Sequence, residues 1–342
     1  MVFKRLLGAF GVGAPSVDTV LSTSRIRPGG LLTGEVRLRG GDFDAGIEHV
    51  TLGLVARVEV EHGGGEHDGL AEFLRVPVSG PFTLRAGEGR VVGFQIPVPW
   101  ETPISEIDGT HLTGMALGVR TELAVAGAVD RGDLDMVAVE PLPSQLRVLR
   151  AFQELGFHFR SADLEAGRIH GAYQELPFYQ EIEFHPPARY AGHVGEVELT
   201  FVASPSGLEV VLEADRHSGG YGGGDDVIGR FQVGHEEALR VDWAGEIDRW
   251  LAGLSHHGTH HGMSHHAPYG HQPYGHAEPY GHQPHGHAQP YGYHPEHHEH
   301  RDGPGWGAVA AAGVAGVVGG LVLGEVVEEI FEDDDEGGDG DW

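Results

Sequence analysis

"LLTGEVRLRGG", Leu31 to Gly41, puts Leu32, Gly34, Val36 and Leu38 on one face and Thr33, Glu35, Arg37 and Arg39 on the other. A period of two is that of a half-exposed β-strand, because successive side chains point to opposite faces of a sheet. The closing Gly-Gly is a turn signal. The same pattern extends in both directions. "VDTVLSTSRIRPGG" comes before it as a strand and a Pro-Gly-Gly turn. "IEHVTLGLVARVEVEH" follows, and "FLRVPVSGPFTLRAGEGRVVGFQIPVP" holds at least two further strands punctuated by Gly and Pro. "GGGEHDG" at 63–69 is expected as a loop. Turn signals about every 8–12 residues, with no long helical period, predict an antiparallel β-sandwich over 16–140.

"PSQLRVLRAFQELG" breaks the pattern. Leu146, Leu149, Phe152 and Leu155 follow helical spacing, with Ser144 as the expected N-cap and Gly156 as the stop. Strands resume at "GFHFRSADLE", "LPFYQEIEFHP", "GEVELTFVAS" and "GLEVVLEADRH", predicting a second, smaller sandwich over 157–233. A second helix is expected over 235–253, where Leu239, Trp243, Ile247, Trp250 and Leu254 form one apolar stripe. The fold class is therefore mainly β: two tandem antiparallel sandwiches with a connector helix and a C-terminal helix, followed by a low-complexity tail. The expected partition is 1–140 for the first sandwich, 141–156 for the connector and 157–254 for the second sandwich with its helix. The tail divides into a His/Pro/Tyr/Gly-rich disordered linker at 255–304, a Gly/Ala/Val segment at 305–324 and an acidic end at 325–342.

Several of these stretches resemble the bacterial sporulation-control family, the SpoOM proteins: "GVGAPSVDTVL", "GEVRLRGG", "VDRGDLDMVAVEPLPSQLRVLRAFQELGF" and "LPFYQEIEF". The resemblance covers roughly residues 1–254. It implies an arrestin-like pair of sandwiches and a cytoplasmic, non-enzymatic regulator of sporulation or development. A fold of this kind is an interaction platform, so function has to be argued from its surfaces. The partners expected are regulatory or cytoskeletal proteins.

Composition narrows the function classes. The formal net charge is −29, which argues against nucleic acid and anionic lipid, since both call for clustered Lys and Arg. The chain has no cysteine, which removes disulfides, thiolate metal sites and cysteine catalysis and fits a reducing cytoplasm. The N-terminal "MVFKRLLGAFGVGAPS" is a short, glycine-broken apolar run, expected as an amphipathic element packed on the body rather than a signal peptide. No serine sits in a nucleophile elbow. The glycine-rich 63–69 lies between strands and lacks a Lys-Ser/Thr partner, so it is not a phosphate cradle.

Three features remain as candidates. "DRGDLD" brings together Asp130, Asp133 and Asp135; with Arg147 or Arg150 they would form an interdomain polar cluster, and without them a solvated turn or a Ca²⁺ site. Fifteen of the 25 histidines fall in one tract: His256, His257, His260, His261, His265, His266, His271, His276, His282, His285, His287, His294, His297, His298 and His300. Dense imidazole binds Zn, Ni or Cu adventitiously, and no cofactor is required. A metal-buffering or metal-sensing protein is thus the rival to the regulatory reading. Ala308, Ala312, Gly316, Gly320 and Gly324 recur at a step of four, the small-residue spacing that lets helices pack closely, and predict self-association into a homo-oligomer. The uncharged run 306–323 approaches the length of a bilayer span, but its Gly and Ala content and the lack of a flanking Lys/Arg cluster favour helix docking over membrane contact. Ten acids lie between Glu325 and Asp341. Protonating the tract beside them would make it a charge-tunable tether.

Overall fold

The computed structural model describes residues 13–62, 65–192, 194–216, 227–256 and 321–323. Residues 1–12 of the expected N-terminal amphipathic element, the histidine tract beyond His256 and the five small residues from Ala308 to Gly324 lie outside these residues. The first half contains β1 (Ser16–Leu21), β2 (Arg25–Ile26), β3 (Leu31–Arg39), β4 (Ala45–His62), β5 (Gly65–Ser79), β6 (Phe82–Leu84), β7 (Gly89–Pro97), β8 (Glu106–Ile107), β9 (Thr110–His111), β10 (Leu117–Val125), β11 (Arg131–Met136) and β12 (Ala138–Val139). Helix α1 (Pro143–Leu155) leads into β13 (His158–Ala166), β14 (Phe178–His185), β15 (Val194–Ser204), β16 (Gly207–Arg216) and β17 (Val227–Val233). Helices α2 (His235–Ala238) and α3 (Trp243–His256) follow, and β18 (Leu321–Leu323) is the last described element.

The first half is the expected two-layer structure. A small sheet in the order β1-β3-β7 lies over a larger one containing β11-β10-β4, with β5 and β6 also paired to β4. The alternation read in β3 is real: Leu32, Val36 and Leu38 are buried, against Ile47, Val50, Leu52 and Leu54 of β4 and Leu117, Val119 and Leu123 of β10 in one core. The stretch 63–69 is not all loop. β5 begins at Gly65 and pairs back on β4, with His62↔Gly65 as the last register pair of a long antiparallel ladder.

The second half is built differently from the first. Its described strands form one antiparallel meander, β13-β14-β15-β16-β17, joined to the larger sheet by a parallel bridge, Glu165↔Glu59. Helices supply the layer on its inner face. Val148, Leu149, Phe152 and Leu155 of α1 and Trp243, Ile247 and Leu251 of α3 are buried with Ile182, Phe184, Leu199, Val210 and Leu212. Phe152 stacks on Phe184 at 4.4 Å, and Trp243 meets Phe231 edge-on at 5.8 Å.

Helix boundaries follow local chemistry. α1 starts at Pro143, whose missing N–H loses nothing at a helix start, and the Gln145 side chain accepts the Leu142 N–H at 2.8 Å. Ser144 is therefore inside the helix and is not its cap; its hydroxyl serves another partner. Gly156 ends α1 in the left-handed conformation, φ 81°, as its residue type requires. The single helix expected over 235–253 is two. Asp242 accepts the Gly245 N–H at 3.1 Å and restarts the chain as α3, so Leu239 is left 42% exposed off the buried stripe.

Candidate functional site: the seam and the acidic outer face

The polar cluster that crosses between the halves is not the one the acid motif predicted. Asp130 accepts the Val125 N–H at 3.0 Å, and Asp133 accepts the Thr19 N–H at 2.6 Å. Both bonds stay within the first half, and the second ties β11 to β1. Asp135, half-buried beside Asp133 and Asp18, has its pKa pushed up to about 6, chiefly by burial. Arg147 pairs with Glu154 within its own helix, and Arg150 meets Asp108 at 3.8 Å. The structure thus does not assemble the predicted set. Asp133 and Asp135 of β11 lie beside β1 and Asp130 is tied to the end of β10, while the arginines lie on the outer side of α1.

The seam forms instead on the proline-punctuated segment after β7. Gln180 of β14 accepts the Ile104 N–H at 2.9 Å and donates to the Ile104 carbonyl at 2.7 Å, both bonds buried. Glu101 accepts the N–H groups of Glu175 and Leu176 at 2.8 Å, and its half-buried carboxyl has its pKa raised by burial despite those bonds. The Ala162 N–H of β13 donates to the Thr113 carbonyl at 3.0 Å, and Phe73 meets Phe178 edge-on at 5.5 Å. Trp100 stacks on His235 at 5.5 Å. The His235 ring bridges the Ser144 hydroxyl at 2.9 Å and the Ser204 carbonyl at 2.8 Å. A neutral ring with its proton on Nε2 satisfies both: it donates to Ser204 and accepts from Ser144.

Sequence reasoning found none of these residues. Pro99 and Pro103 around Trp100 and Glu101 were the available signal, since a proline-rich segment cannot spend its backbone on a ladder and leaves it free for side chains.

The outer face of the meander carries a second cluster, also unforeseen. The strand registers set Asp163 opposite Glu181, Glu183 opposite Glu198, and Glu198 opposite Glu213. Carboxylates directly across a ladder repel. Burial, followed by these neighbours, raises the pKa of both Glu181 and Glu198, and the same surroundings make Tyr179 harder to ionise. Arg160 relieves one corner by pairing with Glu196 at 2.6 Å and Glu183 at 3.2 Å. Arg168 and Arg230 line the rim of the cleft that holds Glu181, Glu198 and Glu213. Whether acids of neighbouring strands crowd one another depends on the register, which local periodicity does not fix.

Two β-built units fused through a buried polar seam define an assembly of sheets and surfaces. The chain belongs to the SpoOM family, whose model matches residues 3–218 and is described as "SpoOM protein". It is 33% identical over 222 residues to the sporulation-control protein spo0M of Bacillus subtilis strain 168, covering 65% of this chain and 83% of that protein. The crystal structure of Spo0M from B. subtilis superposes with a TM-score of 0.62 at 30% identity, over 71% of this chain and all of that one. Among the described residues, no helix is long and apolar enough to cross a membrane.

Proposed function

We propose that the chain is a non-enzymatic, arrestin-like regulator of sporulation or development, acting as a platform for other proteins. The observation that carries the reading is the seam. Gln180 and Glu101 commit polar groups to holding two β units in one mutual orientation, and His235 adds its ring stacked on Trp100, which suits a surface presented to a partner. The name of the B. subtilis relative supplies the process. Regulatory or cytoskeletal proteins are the proposed partners.

The test is complementation in the native host after deletion of the gene. The full chain and a version with all fifteen tract histidines changed to Asn should both restore sporulation, and Gln180→Leu should restore it less well. If the histidine-free chain fails where the natural chain succeeds, metal handling by the tract with Zn, Ni or Cu replaces the platform reading.

A further inference from the structure

β5 has an edge that its hairpin does not use. One side pairs with β4 from His62↔Gly65 to Val50↔Ser79. On the other side, the pairing found among the described residues is with β18, antiparallel: Leu321↔Ala71, Val322↔Leu70 and Leu323↔Gly69. A bare strand edge is a template for any extended segment, and proteins guard such edges with proline, charge or bulges. The distal part of β5 has all three: Pro77 lacks an N–H, Glu72 and Arg75 are charged, and the register shifts at Leu54/Val55 and Val50/Thr51. Gly69-Leu70-Ala71 has none of them, and β18 lies on that stretch. Leu70 and Ala71 are buried there, and Leu70 packs with Val55 and the half-buried Leu134.

The covering segment matches the place it covers. It is an apolar triplet without proline, bounded in sequence by Gly319-Gly320 and Gly324. So short a pairing is too weak to hold separate molecules together. Attachment to the same chain makes docking intramolecular and raises the effective concentration of the segment.

We propose that the β5 edge at Gly69–Ala71 is a strand-docking surface whose occupant is the chain's own Leu321–Leu323. The segment is a displaceable cover that keeps this edge from pairing with other strands. An extended apolar strand supplied in excess takes its place by the same main-chain pairing. This inference is independent of the platform reading, and its test reads no developmental phenotype.

The cysteine-free sequence makes cross-linking unambiguous. In the full chain, Ala71→Cys/Leu321→Cys and Leu70→Cys/Val322→Cys sample two adjacent register pairs, one of which has the closer Cα approach. Under mild oxidation, at least one should form an intrachain disulfide more than about tenfold faster than the control Ala71→Cys/Ala310→Cys. Rates equal to the control, or a disulfide joining two chains, would overturn the assignment. Hydrogen exchange gives a second readout without cysteines. Val322→Pro should speed exchange at Gly69–Ala71 by about tenfold or more while leaving Val210–Leu212 in β16 unchanged. A synthetic peptide of residues 316–327 in millimolar excess should restore protection. Unchanged exchange at Gly69–Ala71 in Val322→Pro, or no restoration by the peptide, sinks the proposal.

Discussion

Gln180 and Ile104 form a closed pair across the two halves, the carboxamide accepting at 2.9 Å and donating at 2.7 Å. Each group answers the other, and both residues are buried. Gln180→Leu keeps the volume and removes both partners of a buried peptide group. The expected loss is about 2–4 kcal/mol, two unsatisfied buried groups at about 1–2 each. Urea denaturation checks the size of the loss. Faster proteolysis around Pro99–Glu106 would show that the seam loosens first, and wild-type resistance there would argue against the seam as the clamp.

Asp133→Ala should weaken the first half alone. The carboxylate takes the Thr19 N–H at 2.6 Å, and its loss leaves that donor without its charged partner, costing about 1–3 kcal/mol. Small-angle scattering should give an unchanged radius. An expanded radius would return Asp133 to an interdomain role.

Stability should fall as the pH rises from about 4.5 to 8. Asp135, with its pKa pushed up to about 6, and Glu181 and Glu198, with theirs raised by burial and facing carboxylates, hold protons more tightly folded than unfolded. Their contribution is full below the unfolded carboxyl value of about 4 and is lost as the pH passes through the raised folded values. Glu122, held down by its bond to Arg75, works oppositely at the acid end. Glu181→Gln should stabilise the protein at pH 8 by on the order of 1 kcal/mol and flatten the profile, with Asp135→Asn acting in the same direction. Thermal melts across this range decide it; a melting temperature that climbs steadily from pH 5 to 8 would contradict the assignment.

Two glycines of positive φ should respond differently to alanine. At Gly114, φ 98°, a Cβ would lie 2.0 Å from the Ala162 carbonyl oxygen, a backbone atom across the seam. At Gly87, φ 67°, it meets nothing within 4 Å. Gly114→Ala should cost more than about 3 kcal/mol, against about 1–2 for Gly87→Ala, where only the backbone preference is lost. Equal losses in denaturation would mean that the close approach at Gly114 is not structurally required.

The strands, the connector helix and its glycine stop were legible in the sequence, because period two, period 3.6 and a left-handed cap are properties of neighbours along the chain. Leu32, Val36 and Leu38 face the core as their alternation requires, and Gly156 ends α1 as its missing side chain allows. The family was legible too, in the stretch from Asp130 to Phe157. What could not be read was which side chains meet across the fold. "DRGDLD" looked like an interdomain cluster because its acids adjoin the connector in sequence, yet Asp130 is tied to β10 and β11 turns Asp133 toward β1. Gln180, Glu101 and His235 carry no motif and matter only because folding brings residues 76, 74 and 91 positions apart into contact. Strand register likewise decided that Glu181 opposes Asp163 and that Glu198 lies between Glu183 and Glu213. A shift of one residue would send those side chains to the other face. The sequence by itself determined the elements and the family. Only the tertiary structure decided the seam and the crowded acidic face, because both depend on long-range pairing that local periodicity does not encode.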